Sequence, residues 1–238
     1  MAELSAAATR PRAVLEPGRK AASPMNARPL RVAEAAEPEH RGDRTRKAIK
    51  RVIAKLAMKR SITEINLSDI CAGAKLTTGA VYFHFKGKDD AIEEMVIDEI
   101  GDIYARMEKL QGSNFGELVA RALEDSSSYH HRSKQLPRAI QQVINMRPKA
   151  YAAWIKAREP VVEKFRAAIA QERAAAGLSI EPAPYLAHFI LNSMEDLGMD
   201  LFQWNNPTLA PFAKTPADWN ARQTALWRHA ILAPFESD

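Results

Sequence analysis

The chain of 238 residues contains a single cysteine, which excludes an intrachain disulfide. It also has no run that approaches the ~20 apolar residues of a membrane-spanning helix. A lone thiol is typical of a reducing compartment, so we expect a cytoplasmic protein. The first 40 residues have no apolar segment of the kind found in a secretory signal. The hydrophobic content of 46% is ordinary for a globular protein with a sizeable core.

No alternating apolar pattern of β-strands and no internal repeat occurs, whereas apolar residues at helical spacing recur along most of the chain. We therefore predict an all-α fold of about nine helices. Phosphate loops, nucleophile elbows and paired metal ligands are also missing. Because Asp, Glu and His are scattered over polar faces, we expect no enzyme, cofactor or metal. A helical enzyme is the remote alternative, and it would need His130 or His131 for turnover.

The charge is distributed unevenly. Residues 1–88 contain 18 basic and 8 acidic residues, a net charge of +10, and residues 89–238 contain 16 and 21, a net charge of −5. A basic segment attracts the phosphates of nucleic acid. The acidic remainder argues against a protein that coats a membrane or nucleic acid along its whole length.

Residues 1–40 are rich in Ala, Pro and Arg and have no apolar period, which predicts a disordered tail. Arg28 and Arg31 could alternatively reach into a minor groove, as basic arms of DNA-binding proteins do. A start at Met25 is a further alternative for this region.

The segment 66–88, NLSDICAGAKLTTGAVYFHFKGK, has the pattern of two short helices around a tight turn. Asn66 and Thr77 are good N-caps for the two helices. Two short helices joined in this way form a helix-turn-helix, whose second helix enters the DNA major groove. That helix begins with small residues, Thr78, Gly79 and Ala80, which suit a close approach to base edges.

The motif resembles the DNA-binding motif of the TetR family of transcriptional regulators. The resemblance is carried by Ile70-Cys71, by Ala74-Lys75, by the Gly-x-x-Tyr-x-x-Phe run from Gly79 to Phe85, and by Lys88. It covers about 60 residues, 43–103, and Cys71 and Gly73 are mild departures. The turn glycine of the family is Lys75 here, which would cost about 1 kcal/mol if the backbone is left-handed.

The resemblance implies a three-helix DNA-binding domain at residues 43–103, with its motif at 66–85, followed by a larger helical ligand-binding and dimerisation domain at residues 104–238. Helix 43–60 has a basic face whose start suits a nearby phosphate. The predicted DNA-contacting residues are Arg44, Thr45, Lys75, Thr77, Thr78, Gly79, Ala80, Tyr82, Phe83, His84 and Lys88.

Apolar periodicity and caps predict further helices at 89–110, 115–132, 134–145, 148–156, 160–176, 181–204 and 217–232. The last two have a broad apolar stripe and are expected to form a four-helix bundle with a second copy. The predicted dimer-interface residues are Leu186, Phe189, Ile190, Ser193, Leu197 and Leu201. Packing within one chain is the alternative for this stripe.

The family resemblance implies a ligand pocket among the middle helices. The candidate lining residues are Tyr104, Met107, Phe115, Tyr129, His130, Met146, Tyr151, Trp154 and Phe165, with His131 and Ser127 nearby as polar groups. Aromatic and Met residues at helical spacing also occur in plain cores, but this mixture favours a mainly apolar small-molecule ligand.

Together these features predict a homodimeric regulator that binds double-stranded DNA, most simply a repressor released from a palindromic operator by its ligand. The alternative from another class is an architectural, nucleoid-associated DNA-binding protein on the same fold without a ligand. A filled core in place of a cavity would favour that alternative.

Overall fold

The computed structural model describes residues 41–235. That range contains nine α-helices and no β-strand, which confirms the predicted all-α fold. The predicted tail at residues 1–40, with Met25, Arg28 and Arg31, lies outside the described residues.

Most helix boundaries agree with the predicted ones within one turn. The helices are, in chain order, α1 (Arg41–Ala57), α2 (Leu67–Ala74), α3 (Thr78–His84), α4 (Lys88–Lys109), α5 (Phe115–Ser133), α6 (Leu136–Met146), α7 (Pro148–Ala175), α8 (Ala183–Gly198) and α9 (Pro216–Ile231). A π-helical segment, Met199–Gln203, continues α8. Short 3-10 turns occur at Ile62–Glu64 and Ala210–Phe212.

The first three helices share a small apolar core. Ile49 and Ile53 of α1 and Ile70 of α2 are fully buried, as the period of apolar residues in both segments predicts. Gly73 lets α2 approach α1 closely, because a Cβ at this position would lie 2.5 Å from Val52 Cγ1.

Helix α4 connects this small core to the rest of the molecule. It packs against α1 on one side and against α7 on the other. The predicted domain boundary between residues 103 and 104 falls inside α4, and all described residues belong to one compact unit. The division into residues 43–103 and 104–238 therefore stays a prediction about function.

The prediction of two helices at 148–156 and 160–176 is wrong, because α7 runs through Pro160 as one helix of 28 residues. Proline removes one helical hydrogen bond and usually breaks or kinks a helix. Here Pro160 is exposed, and the buried face continues across it through Val161, Phe165 and Ile169. Burial of these side chains outweighs the local cost of the proline.

The predicted helix 181–204 is also modified. Regular α8 ends at Gly198, and the five residues that follow form the π-helical segment. Such segments are often found at functional sites. Gly198 lies against His130 of α5, where a Cβ would be 3.0 Å from Nε2.

Candidate nucleic-acid interface and internal cavity

Lys75, which stands at the turn glycine of the family, has a left-handed backbone in the turn between α2 and α3. Lys75 has φ 55° and ψ 45° and ends α2, and its backbone N–H faces the carbonyls of the last turn. Thr77 then caps α3, its Oγ1 accepting the backbone N–H of Ala80 at 3.2 Å. The local geometry is that of a helix-turn-helix.

Two apolar side chains fix α3 to the core. Val81 is fully buried and Phe85 nearly so. The opposite face is exposed, with 54% of Tyr82 and 84% of Phe83 accessible. Nothing lies within 4 Å of a Cβ built on Gly79. Helix α3 therefore presents small residues and two aromatic rings to its surroundings.

The start of α1 lies beside the end of α3. A Cβ on Gly42 would be 3.9 Å from the His84 ring, so predicted contacts from both helices fall on one side of the molecule. Seven of the predicted DNA-contacting residues are exposed: Arg44, Lys75, Thr77, Thr78, Gly79, Tyr82 and Phe83. Four are half-buried: Thr45, Ala80, His84 and Lys88.

Arg46 holds this arrangement together, although its role was not predicted. Its Nε donates to Glu94 of α4 at 3.0 Å, and its Nη1 donates to the His84 carbonyl at 2.6 Å. The guanidinium also lies 4.5 Å from the centre of the Phe85 ring. The Glu94 carboxylate raises the pKa of Arg46. The sequence carries no signal for this role, because the partners lie 38 and 48 positions away.

A partly open cavity of about 110 Å³ lies among α4, α5, α6, α7 and α8. Five of the nine predicted ligand-binding residues line it: Tyr104, Met107, Tyr129, His130 and Trp154. The other lining residues were not predicted: Ile100, Ile103, Arg106, Asp125, Ser126, Pro137, Ile140, Gln141, Ile144, Leu191, Met194, Glu195 and Met199.

The other predicted residues lie elsewhere. Phe115 and Phe165 pack edge to face in the core, with ring centres 6.4 Å apart, and neither faces the cavity. Met146 and Tyr151 are exposed on the surface. Residue type alone does not separate core from cavity, because both positions favour large apolar side chains.

The two polar residues suggested beside the pocket also differ in position. His131 is exposed and does not line the cavity. Ser127 is buried and donates to Asn220 of α9 at 2.9 Å. Ser126, one position earlier, is the serine that lines the cavity.

A polar network forms one wall of the cavity. The Tyr104 hydroxyl donates to Glu195 Oε1 at 2.6 Å and accepts from Trp154 Nε1 at 2.9 Å. Arg158 pairs with Glu195 at 3.3 Å and donates to Asn192 at 2.5 Å. Burial raises the pKa of Glu195, and the paired arginine opposes that rise.

His130 also lines the cavity. Its ring stacks on Phe202 with centres 5.7 Å apart, and Nδ1 lies 3.3 Å from the side-chain amide of Gln203. Burial lowers the pKa of His130 to about 4, so the ring is neutral at pH 7.

Helix α6 lies between the cavity and the helix-turn-helix part. Ile140 and Ile144 line the cavity. The same helix also contacts α1 and α4. Just beyond its end, Arg147 forms an ion pair with Asp89 at the start of α4, at 2.8 Å.

An apolar surface lies along α8 and α9. Phe189 is 45% exposed, and Leu226 is 60% exposed. Both line a groove together with Phe212 and Trp219. Of the predicted interface residues, Leu186 and Ile190 are buried within the chain, and Ser193, Leu197 and Leu201 are half-buried.

No helix between residues 41 and 235 is long and apolar enough to cross a membrane. Nor does this part of the chain bring three His, Cys, Asp or Glu side chains together as metal ligands.

No protein-family model and no curated protein matches the chain. Many solved structures do match. A candidate transcriptional regulator from Pseudomonas aeruginosa PAO1 has a TM-score of 0.64 at 12% identity, over 82% of this chain and 93% of that one. A TetR-family transcriptional regulator from Bordetella parapertussis 12822 has a TM-score of 0.54 at 13% identity, over 76% and 93%.

The fatty acid degradation regulator FadR from Bacillus halodurans has a TM-score of 0.55 at 9% identity, over 82% of this chain and 97% of that one. The TM-scores establish a shared fold, and at identities this low they establish nothing more.

Proposed function

We propose that this protein, which has the fold of TetR-family transcriptional regulators, is a DNA-binding regulator of transcription. In more detail, it is a cytoplasmic homodimer that represses from a palindromic operator and is released by a small-molecule ligand. The observation that carries the proposal is the geometry of α3. Val81 and Phe85 anchor this helix, while Thr78, Gly79 and Tyr82 face outward.

The exposed start of α3 suits the major groove. Thr78 and Gly79 are small enough for the backbone to approach base edges, and hydroxyl groups can hydrogen-bond to any base or to phosphate. Tyr82 lies one turn further on and can reach the phosphate backbone. The exposed Arg44 of α1 and the exposed Lys75 of the turn before α3 add positive charge. Arg46 serves as a positioning residue, since it is engaged with Glu94 and His84.

The surface of α8 and α9 is the proposed dimer interface. Its proposed central residues are Phe189, which the sequence also suggested, and Leu226, because both are exposed whereas Leu186 and Ile190 are buried within the chain. A dimer is favoured because two linked recognition helices multiply affinity, and because two-fold symmetry matches a palindromic site.

The cavity and the DNA-binding helices are coupled through α6 in this proposal. A ligand that moves Ile140 or Ile144 would shift α6 and, through the Arg147–Asp89 pair, the start of α4. The two α3 helices of a dimer would then no longer match successive major grooves. Ligand and DNA must weaken each other's affinity equally, because coupling between sites is reciprocal.

Two alternatives from the sequence receive less support. An architectural DNA-binding protein without a ligand would be expected to have a filled core. The core of this protein contains a cavity lined by polar as well as apolar groups. A helical enzyme would need a cluster of reactive groups. His130 is held between Phe202 and Gln203, and His131 is exposed apart from the cavity.

The first experiment measures binding to the DNA immediately upstream of the protein's own gene, by fluorescence anisotropy across a salt series. We expect tight binding relative to random DNA, with an affinity that falls steeply with salt as phosphate contacts release counterions. Equal binding to all DNA would favour the architectural alternative.

A matched pair of variants locates the interface. Tyr82 and Tyr151 are exposed to similar extents, 54% and 51%. Tyr82→Ala should weaken operator binding by roughly tenfold or more, the effect of losing one good contact. Tyr151→Ala should leave it unchanged. Equal effects of the two substitutions would place DNA on another surface.

A further inference from the structure

The cavity has an unsatisfied polar end at Arg106 and Tyr129. Nε and Nη2 of Arg106 are buried and make no hydrogen bond within residues 41–235. The Tyr129 hydroxyl is also buried, facing Ser133 without a well-formed hydrogen bond. The guanidinium lies 5.5 Å from the centre of the Tyr129 ring, so the two side chains are neighbours in the wall of the cavity.

Unsatisfied buried donors call for an acceptor. Leaving a buried N–H or O–H without a partner is costly, and most such groups in folded proteins are paired. An arginine has donors and no acceptor, so the missing partner must supply a lone pair. Asp125 does not fill this role, because its Oδ1 is 3.7 Å from Arg106 Nε, beyond hydrogen-bond distance.

The surrounding charges favour a neutral ligand. Asp125 and the half-buried Glu99 lie close to Arg106 and would repel an anion. A cation would be repelled by Arg106 itself. It would also gain little from Glu195, which already accepts from Tyr104 and pairs with Arg158.

The lining of the cavity favours an aromatic ring, and its volume limits how much of the ligand it can enclose. Its volume of about 110 Å³ is somewhat below the roughly 150 Å³ of an engineered cavity that binds benzene. Trp154 supplies an aromatic wall, and Met107, Met194 and Met199 also line the space. Methionine sulfur makes favourable contacts with aromatic rings. Arg106 is 41% exposed, so a substituent on the ring can extend toward it at the edge of the cavity.

We propose that the cavity binds a small neutral aromatic carbonyl compound whose oxygen accepts hydrogen bonds from Arg106 and Tyr129. The ring occupies the space between Trp154 and the methionines. This inference rests on the proposed function for the assignment of the cavity as an effector site, and it adds the chemical class of the effector.

The test uses four probes of nearly equal size and shape: acetophenone, benzoate, benzamidinium and α-methylstyrene. They present a neutral acceptor, an anion, a cation and an apolar group at the same position. Binding to the full chain is measured by isothermal titration calorimetry and by Trp fluorescence at pH 7. Acetophenone should bind roughly tenfold or more tighter than α-methylstyrene, the expected effect of hydrogen bonds to a charged donor. Both ions should bind more weakly than acetophenone.

Two substitutions test the named contacts. Tyr129→Phe removes the hydroxyl alone, and Arg106→Met removes the guanidinium while keeping an apolar stem. Each should remove part of the advantage of acetophenone over α-methylstyrene, since one donor remains, and should leave α-methylstyrene binding unchanged. Arg121→Met is the control, because Arg121 is exposed on α5 and pairs with Glu117 outside the cavity. Circular dichroism melting of each variant shows whether it is folded. If Arg106→Met is not folded, the comparison of Tyr129→Phe with the unsubstituted protein tests the proposed contact.

The outcomes separate this inference from the proposed function. Tighter binding of α-methylstyrene, benzoate or benzamidinium than of acetophenone would overturn the inference, as would binding of none of the four. Acetophenone binding that depends on Arg106 and Tyr129 supports it, even if operator DNA is not released. In that case release by ligand, which is measured separately by anisotropy, is the part that fails.

Discussion

At the scale of single residues, Lys75 is the clearest compromise in the helix-turn-helix. Its backbone is left-handed, with φ 55°, which disfavours any side chain with a Cβ. We predict that Lys75→Gly raises the free energy of unfolding by about 1 kcal/mol. Urea unfolding at pH 7 measures this change.

Lys55 provides the control for that substitution. It is exposed in the last turn of α1, where the backbone is still helical, so Lys55→Gly should lower the free energy of unfolding by roughly 0.5 kcal/mol. The same chemical change then has opposite signs at two exposed lysines. A loss of stability in both variants would mean that strain at Lys75 is not significant.

His130 should make stability depend on pH. Its pKa is about 4 in the folded protein, against about 6.5 for an unperturbed histidine. Between these values the unfolded chain binds the proton more readily than the folded protein does, so stability rises with pH across this window. The contribution of His130 to stability is complete above the window. At pH 4.5 the protein should have lost about 2 to 3 kcal/mol from this residue relative to pH 7.

Urea unfolding of the protein and of His130→Gln at both pH values isolates that contribution. The variant keeps a polar side chain beside Gln203 but has no group that titrates in this range. Its loss of stability on acidification should be smaller than that of the unchanged protein by the same amount. Parallel losses would contradict the assignment of a buried neutral imidazole.

At the scale of elements, the start of α2 depends on a capping box. The Asn66 side chain accepts the backbone N–H of Asp69 at 2.9 Å, and the Asp69 carboxylate accepts the backbone N–H of Asn66 at 3.0 Å. Asn66→Ala should therefore lower the free energy of unfolding by about 1 kcal/mol. Asn66→Ser, which keeps a capping oxygen, should lose much less.

Chemical unfolding measures both variants, and operator binding gives a second readout. Because α2 supports the turn that orients α3, we expect Asn66→Ala to weaken DNA binding more than Asn66→Ser does. Equal stability of the two variants would show that the cap contributes little.

Helices α7 and α8 show where element-scale reasoning from sequence succeeds and fails. Periodicity predicts helical structure on both sides of Pro160, and this is correct. It does not predict that the helix continues through the proline, because that depends on partners for Val161 and Phe165 elsewhere in the chain. In α8 the period predicts an apolar stripe, but the burial of Leu186 and Ile190 within the chain depends on how the neighbouring helices pack.

At the scale of the whole molecule, the exposed surface of α8 and α9 should hold two copies together. We predict that Phe189→Arg combined with Leu226→Arg gives a folded monomer, because buried unpaired charges oppose association. Sedimentation velocity measures the state of assembly. Loss of the second half-site contact should reduce operator affinity by roughly a hundredfold or more.

Tyr151→Arg serves as the matched control, since Tyr151 is about half exposed on α7 and does not line the α8–α9 groove. This variant should remain dimeric. A double variant that also remains dimeric with full operator affinity would place the interface elsewhere.

The all-α fold and the helix-turn-helix with its caps at Asn66 and Thr77 could be predicted from the amino-acid sequence alone. These features depend on residues three or four positions apart, so their physical causes lie within a short stretch of chain. Which large side chains line the cavity, and what holds α3 in place, became apparent from the packing of the helices. Tyr104 meets Glu195 across 91 positions, and Arg46 meets Glu94 across 48. Contacts over such distances depend on how whole helices pack, and no local spacing of residue types encodes that.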